Sequence, residues 1–149
     1  MAGYSGTPLI QKIGIKPGHR VLLQNQPEGL LTELGPLPVG VEVSQRTMAK
    51  AGVLLAFVET RAELEKKFRS WSRSIEPNGM LWIGWPKKTS GRATDLNENI
   101  VREIGLECGL VDVKVCAIDE TWSGLKFVVR LKDRPVKPAV KSKAAGARK

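Results

Sequence analysis

The chain has 149 residues, a net charge of +9 and 42% hydrophobic residues, which fits one domain with a sizeable core. Its apolar runs are too short to span a membrane, and its first residues lack the basic and apolar regions of a secretory signal. Two cysteines, Cys108 and Cys116, do not make a disulfide framework in a chain of this size. The sequence therefore predicts a cytoplasmic protein with reduced thiols and without a membrane segment.

Most of the positive charge lies at the end of the chain. Residues 132–149 contain seven Lys or Arg and one Asp, whereas residues 1–131 contain seventeen Lys or Arg and fourteen Asp or Glu. We therefore predict a folded domain over 1–131 and a basic disordered tail over 132–149, because the tail has too few apolar side chains to fold alone. Such a tail would bind polyanions weakly, although a solubilising role is the reading that we favour.

The first half of the chain predicts short helices alternating with strands. Thr7 and Pro8 are typical of a helix start, and Gly14 ends that helix. The apolar run 51–58 predicts a central strand that is buried on both faces. The other predicted elements here are a strand over 20–24, a short helix that ends near Leu34 and a short strand over 39–43.

The second half predicts two long helices and three strands. Thr60 and Glu63 form a capping box for a helix with one apolar stripe, and Asp95 is predicted to cap the next helix, which Gly109 ends. Residues 76–79 predict a turn, residues 80–85 a strand, and residues 110–118 and 125–131 an antiparallel hairpin joined by 119–124. Alternation of this kind predicts an α/β three-layer sandwich, with a mostly parallel sheet and a C-terminal antiparallel hairpin.

Residues 9–29 read L-I-Q-K-I-G-I-K-P-G-H-R-V-L-L-Q-N-Q-P-E-G. This segment resembles the opening of class I S-adenosylmethionine-dependent methyltransferases, and I-E-P-N-G-M-L-W-I at 75–83 resembles their turn between a late helix and a strand. The resemblance covers most of 8–131 and implies a single Rossmann-like domain. In those enzymes the first strand ends in an acidic residue followed by a glycine loop, which lets the backbone approach the cofactor.

The cofactor loop of that family is missing here. The corresponding stretch 23–29 is L-Q-N-Q-P-E-G, in which Pro27 stiffens the loop, and Glu42 lies inside a predicted strand instead of at its end, where the ribose-binding acid is expected. The fold likeness keeps S-adenosylmethionine open as a ligand. It does not imply methyl transfer.

A second resemblance covers nearly the whole chain. The segments A-G-Y-S-G-T-P-L, W-P-K-K-T-S-G and K-V-C-A-I-D-E-T-W-S-G-L-K-F-V-V-R resemble an uncharacterised bacterial family known as domain of unknown function 3052. That resemblance implies a small cytoplasmic bacterial protein without an established catalytic role.

A cationic loop follows the strand over 80–85 and precedes a predicted helix start. Ligands of α/β proteins bind beyond the carboxyl ends of strands, and helix N-termini favour anions. The spacing is not that of a phosphate-binding P-loop, and a solvated loop is the alternative. The residues predicted to bind an anion are Trp85, Lys87, Lys88, Thr89, Ser90 and Gly91.

Two further loops are predicted to complete a crevice with this one. Paired acids could act as acid and base, but two acids are too few for a metal, so no metal site is predicted. The alternative is a plain hairpin turn whose acids pair with Lys114, Lys126 or Arg130. The crevice residues are Asn25, Glu28 and Gly29 from the first loop and Asp119, Glu120, Thr121, Trp122 and Ser123 from the last.

Three functional hypotheses follow. The first is a degenerate methyltransferase-like domain that binds a ligand or a protein without catalysis. The second is an enzyme for a small anionic substrate, in which Lys87 and Lys88 hold the anion and Asp119 or Glu120 is the base, or a residual S-adenosylmethionine-dependent methyltransferase. The third is a nucleic-acid-associated protein that uses its basic tail, which the nearly neutral domain argues against.

Overall fold

The computed structural model describes residues 7–46 and 50–134, and in these ranges one six-stranded sheet is flanked by four α-helices. The predicted tail lies outside the described residues from 135 onwards. The helices are α1 (Leu9–Ile13), α2 (Leu30–Leu34), α3 (Arg61–Ser72) and α4 (Glu98–Glu107). The strands are β1 (Arg20–Gln24), β2 (Glu42–Ser44), β3 (Ala51–Phe57), β4 (Ile75–Pro86), β5 (Leu110–Ala117) and β6 (Trp122–Val129), and short 3-10 helices span Lys88–Ser90 and Leu131–Asp133.

The strand order in the sheet is β2-β1-β3-β4-β6-β5. β1 pairs in parallel with β2 and with β3, and β3 pairs in parallel with β4. β6 pairs antiparallel with both β4 and β5. The predicted mostly parallel sheet with a C-terminal antiparallel hairpin is therefore confirmed. Because the chain leaves β1 towards β2 and returns on the other side to β3, the direction of winding reverses between β1 and β3.

Two apolar layers enclose the central strands. β3 is buried on both faces, as its continuous apolar run predicts. On one face α3 and α4 pack over Ile83 and Trp85, and on the other α1 and α2 pack over Trp82. Successive residues of a strand point to opposite faces, so the two tryptophans of β4 belong to different layers. The Trp82 indole donates a hydrogen bond to the carbonyl of Ile13 at 2.9 Å, which fixes α1 against the sheet.

α3 begins where the capping box predicts. Thr60 Oγ1 accepts from the backbone N–H of Glu63 at 3.1 Å, which satisfies a donor that the first helical turn leaves open. The Glu63 carboxylate accepts from the N–H of Glu59 at 3.2 Å, one residue before the expected partner. The apolar stripe predicted for this helix is Leu64, Phe68, Trp71 and Ile75. The first three are buried helix residues, but the assignment of Ile75 is wrong, because α3 ends at Ser72 and Ile75 begins β4.

The predicted start of α4 is wrong by two residues. Asn97 is the N-cap, and its side chain accepts from the N–H of Ile100 at 2.9 Å. Asp95 instead accepts from the N–H of Arg61 at 2.7 Å. Either residue type can cap a helix, but Asp95 is used to join the loop before α4 to the first turn of α3.

Three other boundaries also differ from the prediction. Residues 76–79 belong to β4, because a register shift beside Ala51 absorbs the Pro-Asn-Gly sequence within the strand. The short strand predicted at 39–43 lies at Glu42–Ser44. The connection of the hairpin is shorter than 119–124, so Trp122, Ser123 and Gly124 are strand residues.

The cysteines are free, and both are half-buried. Burial raises the pKa of the Cys116 thiol, while the charges of Lys12 and Lys114 act in the opposite direction. Within residues 7–46 and 50–134, no helix is long and apolar enough to cross a membrane.

The packing of Gly105 of α4 against β6 yields a stability prediction. A Cβ built on Gly105 would lie 2.1 Å from Cε1 of Phe127, whose ring packs edge-on against Phe68 with 5.2 Å between centroids. We expect Gly105→Ala to lower the free energy of unfolding by about 1–3 kcal/mol through overpacking, despite the gain of about 1 kcal/mol in helix propensity. Urea denaturation monitored by circular dichroism measures the change.

The double variant Gly105→Ala/Phe127→Leu is the control for this clash. Because leucine vacates the space that the new methyl group needs, its loss should be smaller than the sum of the two single losses. Wild-type stability of Gly105→Ala alone would contradict the close packing of α4 on β6.

Candidate functional site

The carboxyl ends of β1, β3 and β4 meet at one edge of the sheet, called here the carboxyl edge. The loops that follow these strands contact one another there. The Asn25 side chain donates to the carbonyl of Phe57 at 3.3 Å, and the N–H of Lys87 donates to the carbonyl of Thr121 at 2.8 Å. In open α/β sheets, ligands bind at this edge where the winding direction reverses, so the loops predicted as a crevice do lie at the expected place.

A cleft of about 230 Å³ opens between the ends of β1 and β3, and we call it the switch-point cleft. The Trp122 ring forms part of its wall and packs edge-on against Phe57 with 5.1 Å between centroids. The guanidinium of Arg92 lies 5.3 Å from the Trp122 ring centroid, a cation–π distance. The lining residues are Asn25, Pro27, Glu28, Phe57, Val58, Glu59, Glu63, Arg92 and Trp122.

Polar side chains in this cleft bond mainly to one another. Asn25 Nδ2 is 3.3 Å from Glu63 Oε2, which joins the loop after β1 to α3. Arg92 Nη1 is 2.8 Å from Glu59 Oε2, which joins the loop after β4 to the end of β3. Four charged or amide side chains in the switch-point cleft are thus paired with one another.

A second cavity, of about 320 Å³, lies beside the loop after β4, and we call it the Lys87 cavity. Lys87 and Lys88 form no ion pair within the ranges that the structure describes. The buried faces of Trp85 and Leu96 supply apolar wall. The lining residues are Trp85, Pro86, Lys87, Lys88, Thr89, Leu96, Asn97, Glu98, Val115 and Ser123.

Ser90 and Gly91 shape this loop and do not line the cavity. Ser90 Oγ donates to the carbonyl of Lys87 at 2.7 Å and accepts from the N–H of Arg92 at 3.1 Å. Gly91 has φ +80°, a left-handed conformation that other residues rarely adopt. These contacts turn the chain so that Arg92 reaches the switch-point cleft.

The crevice predicted as one site is divided into two cavities. Trp122 lines the switch-point cleft and Ser123 lines the Lys87 cavity, because neighbouring strand residues face opposite sides of the sheet. Asn25 and Glu28 therefore lie in a different cavity from Lys87 and Lys88. Gly29, with φ +88°, caps the start of α2 and lines neither cavity.

The two acids of the hairpin connection lie outside both cavities. Asp119 Oδ1 accepts from the N–H groups of Thr121 and Trp122, each at 2.8 Å, which closes the connection tightly. In the described part of the chain neither acid forms an ion pair with Lys114, Lys126 or Arg130, so the pairing expected for a plain hairpin is wrong. Arg130 contacts the carbonyl of Leu106 instead, at 3.4 Å.

Asp119 and Glu120 instead face Glu33 of α2. Burial raises the pKa of Glu33, and the charge of Asp119, a hydrogen bond with its side chain and the charge of Glu120 raise it further. Over residues 7–46 and 50–134, no group of three or more His, Cys, Asp or Glu side chains is placed to hold a metal ion.

Three charged residues of the switch-point cleft, Glu59, Glu63 and Arg92, are absent from the predicted crevice, as are the apolar Phe57 and Val58. Glu59 directly follows the apolar run 51–58, so its position after a predicted strand is the available signal. Arg92 directly follows the predicted anion-binding loop, and its place next to that loop is its signal. Glu63 was assigned only a capping role, although a carboxylate that caps α3 also faces the end of β1.

Comparisons with known proteins define the fold. No protein-family model matches the sequence, and no curated protein matches it. Solved structures that match over most of the chain include a magnesium protoporphyrin IX methyltransferase from Synechocystis PCC 6803 with bound S-adenosylmethionine, at a TM-score of 0.52 and 10% identity over 82% of this chain and 74% of that chain.

Two other similar structures are also methyltransferases. The ribosomal protein L11 methylase from Lactobacillus delbrueckii subsp. bulgaricus has a TM-score of 0.55 and 11% identity over 82% of this chain and 75% of that chain. An O-methyltransferase from neocarzinostatin biosynthesis has a TM-score of 0.57 and 11% identity over 74% of this chain and 49% of that chain. The fold is therefore the methyltransferase-like Rossmann fold, and at these identities the likeness shows the fold alone. The likeness to the 3052 family stays a prediction.

The environment of Glu33 yields a pH prediction. Because its folded pKa is raised, the folded state loses stability as the pH rises from about 4 through that raised value, where the repelled carboxylate forms. We expect Glu33→Gln to melt at a higher temperature than wild type at pH 7. The difference should shrink at pH 4, as differential scanning fluorimetry can measure.

Glu107→Gln removes an exposed carboxylate of α4 and is the matched control. It should show no comparable gain between pH 4 and pH 7. A constant difference between Glu33→Gln and wild type across this range would rule out the proposed repulsion between α2 and the hairpin connection.

Proposed function

We propose that this chain is a methyltransferase-like binding module without methyl transfer, whose ligand site is the Lys87 cavity. The main observation in support of an absence of methyl transfer is the contact between Asn25 and Glu63. It joins the loop after β1 to α3 across the place where a ligand would enter between β1 and β3.

The size of the switch-point cleft supports this proposal. Its volume of about 230 Å³ is below the range of about 300–1,000 Å³ in which pockets for drug-sized ligands fall. A nucleoside cofactor would have to break the contacts of Asn25 with Glu63 and of Glu59 with Arg92. Each lost partner would leave a partly desolvated polar group.

The backbone of the loop after β1 also argues against a close cofactor approach. Asn25 has φ +57° and is the one non-glycine residue with positive φ among the described residues. Asparagine tolerates this conformation better than most residues. Its side chain, however, fills the space that a glycine would leave open, and Pro27 stiffens the same loop.

The first test is cofactor binding by the full chain. We expect S-adenosylmethionine and S-adenosylhomocysteine at millimolar concentration to leave the melting temperature unchanged, because the cleft of about 230 Å³ is small for them and its polar side chains are paired with one another. A ligand at about one hundred times its dissociation constant would add about 2.7 kcal/mol of stability, a shift of several degrees.

A characterised methyltransferase measured in parallel is the positive control for both cofactors. Transfer of a labelled methyl group by this chain, or a shift of several degrees with either cofactor, would overturn the non-catalytic proposal and restore the residual methyltransferase as the leading hypothesis.

Small anions are the ligand class that fits the Lys87 cavity. Its volume of about 320 Å³ reaches the range of ligand pockets, and the ammonium groups of Lys87 and Lys88 have no carboxylate partner in the described ranges. The enzyme hypothesis would also need Asp119 or Glu120 beside the anion, and neither lines this cavity. The binding role is therefore the better supported of the two.

The second test is a panel of inorganic phosphate, sugar phosphates and nucleotides. At least one should raise the melting temperature of wild type by several degrees, and Lys87→Gln/Lys88→Gln should abolish that rise because it removes both cations. Lys66→Gln/Lys67→Gln on α3, with the same change in charge, is the control and should keep the rise. An absence of any shift with wild type would redirect the binding role from small anions to a protein partner.

A further inference from the structure

A third cavity lies at the opposite edge of the sheet, where β1, β3 and β4 begin, and we call it the amino-edge cavity. Its volume is about 240 Å³, which is below that of pockets for drug-sized ligands, so its occupant would be a small molecule. The site described above uses none of its residues. The polar side chains that line it, among the residues that the structure describes, are His19, Arg20, Lys50, Glu76 and Asn78.

This cavity contains opposite charges that do not pair with one another. Lys50 and Glu76 both line it, yet neither forms an ion pair in the described part of the chain. Arg20 Nε is 3.8 Å from Glu42 Oε1, which is too long for a hydrogen bond. In the switch-point cleft, by contrast, the opposite charges contact each other directly. The charges of the amino-edge cavity are therefore available to a bound molecule.

The strand order explains why these charges stay apart. Arg20 begins β1 and Glu76 lies near the start of β4, and β3 runs between them. Because neighbouring strands are about 4.8 Å apart, the two backbones are separated by about 10 Å at this edge. Gly52 of β3 has no side chain that could bridge the gap. The cavity thus has cations on one side and a carboxylate on the other.

The His19 ring supplies a hydrogen-bond donor between the two sides. Its Nδ1 accepts from the backbone N–H of Lys16 at 3.0 Å, so the proton of the neutral ring is on Nε2. The ring lies against β3, because a Cβ built on Gly52 would be 2.9 Å from Cδ2 and 3.5 Å from Nε2 of His19. The edge of the ring that contains Nε2 is therefore held at the strand that separates Arg20 from Glu76.

A small molecule with both charges matches this arrangement. A plain anion would be repelled by Glu76, and a plain cation would be repelled by Arg20 and Lys50. A free α-amino acid avoids both penalties, because its carboxylate can pair with the two cations and accept from His19 Nε2 while its ammonium group pairs with Glu76. Charge-assisted hydrogen bonds of this kind are about twice as strong as neutral ones.

We propose that the amino-edge cavity binds a free α-amino acid. Arg20 and Lys50 bind its carboxylate, and Glu76 determines specificity, because it distinguishes an amino acid from a carboxylic acid without an amine. This site goes beyond the proposed function. It lies at the other edge of the sheet from the Lys87 cavity and does not depend on the ligand of that cavity.

The test screens the standard L-amino acids, at millimolar concentration, for a rise in the melting temperature of the full-length chain. At least one should raise it by several degrees, the shift expected of a ligand at about one hundred times its dissociation constant. The matched carboxylic acid without the amine and the matched amine without the carboxylate should each give no shift, because each meets a like charge in the cavity.

Two variants test the roles of the charged residues by isothermal titration calorimetry. Glu76→Gln should weaken binding of the amino acid by about 10-fold or more, because one charge-assisted hydrogen bond is lost. Arg20→Gln/Lys50→Gln should weaken it by about 100-fold or more, because two are lost.

The matched controls are Glu107→Gln on α4 and Lys66→Gln/Lys67→Gln on α3, which change exposed residues and make the same changes in net charge. Both should keep the wild-type affinity, and a loss equal to that of the cavity variants would overturn the proposal. Circular dichroism checks the fold of each variant. Should Arg20→Gln/Lys50→Gln not fold, Lys50→Gln alone replaces it, since Lys50 is exposed and precedes β3.

Three further results would overturn the proposal. One is the absence of a shift with every standard amino acid. Another is an equal shift with the acid that lacks the amine, which would make the cavity a plain anion site. The third is loss of the shift in Lys87→Gln/Lys88→Gln, which would assign the amino acid to the Lys87 cavity. Failure of the Lys87 cavity to bind phosphates would leave this proposal intact, so the two failures are distinguishable.

Discussion

Burial of β3 and β4 on both faces is the constraint on which the rest of the structure depends. Each strand must present apolar side chains to two helical layers, so its loops can leave only at the two edges of the sheet. At the carboxyl edge, Phe57 ends β3 and Pro86 ends β4. Polar residues that follow these strands, among them Glu59 and Lys87, are thereby brought to one edge of the sheet although they are far apart in the sequence.

The division of that edge into two cavities follows from the alternation of strand residues. Trp122 and Ser123 are adjacent in the chain but face opposite layers. Phe57 and Trp122 pack against each other in one apolar layer, and Trp85 lies in the other. Side chains from two loops that end at the same edge can therefore occupy separate cavities. In one the polar side chains bond to one another, and in the other Lys87 and Lys88 have no ion pair among the residues that the structure describes.

The sequence was sufficient to predict the fold but only part of the site. The apolar run of β3, the stripe of α3 and the hairpin were visible because burial on a regular element repeats with the period of that element. The cap of α4 was misassigned because Asp95 and Asn97 are equally good caps locally, and only the distant N–H of Arg61 decides between them. The same limit applies to Glu63 and Arg92, whose partners lie 33 or more residues away.

The packed layers of this fold and the loop after β1 depend on different residues. The layers are held by the central strands and by contacts such as Trp82 with Ile13, none of which involves the loop after β1. That loop is bounded only by Asn25 and by Gly29 at the start of α2. Its sequence can therefore change without loss of core packing. Because Asn25 contacts both Phe57 and Glu63, the loop after β1 joins β1 to the end of β3 and to α3.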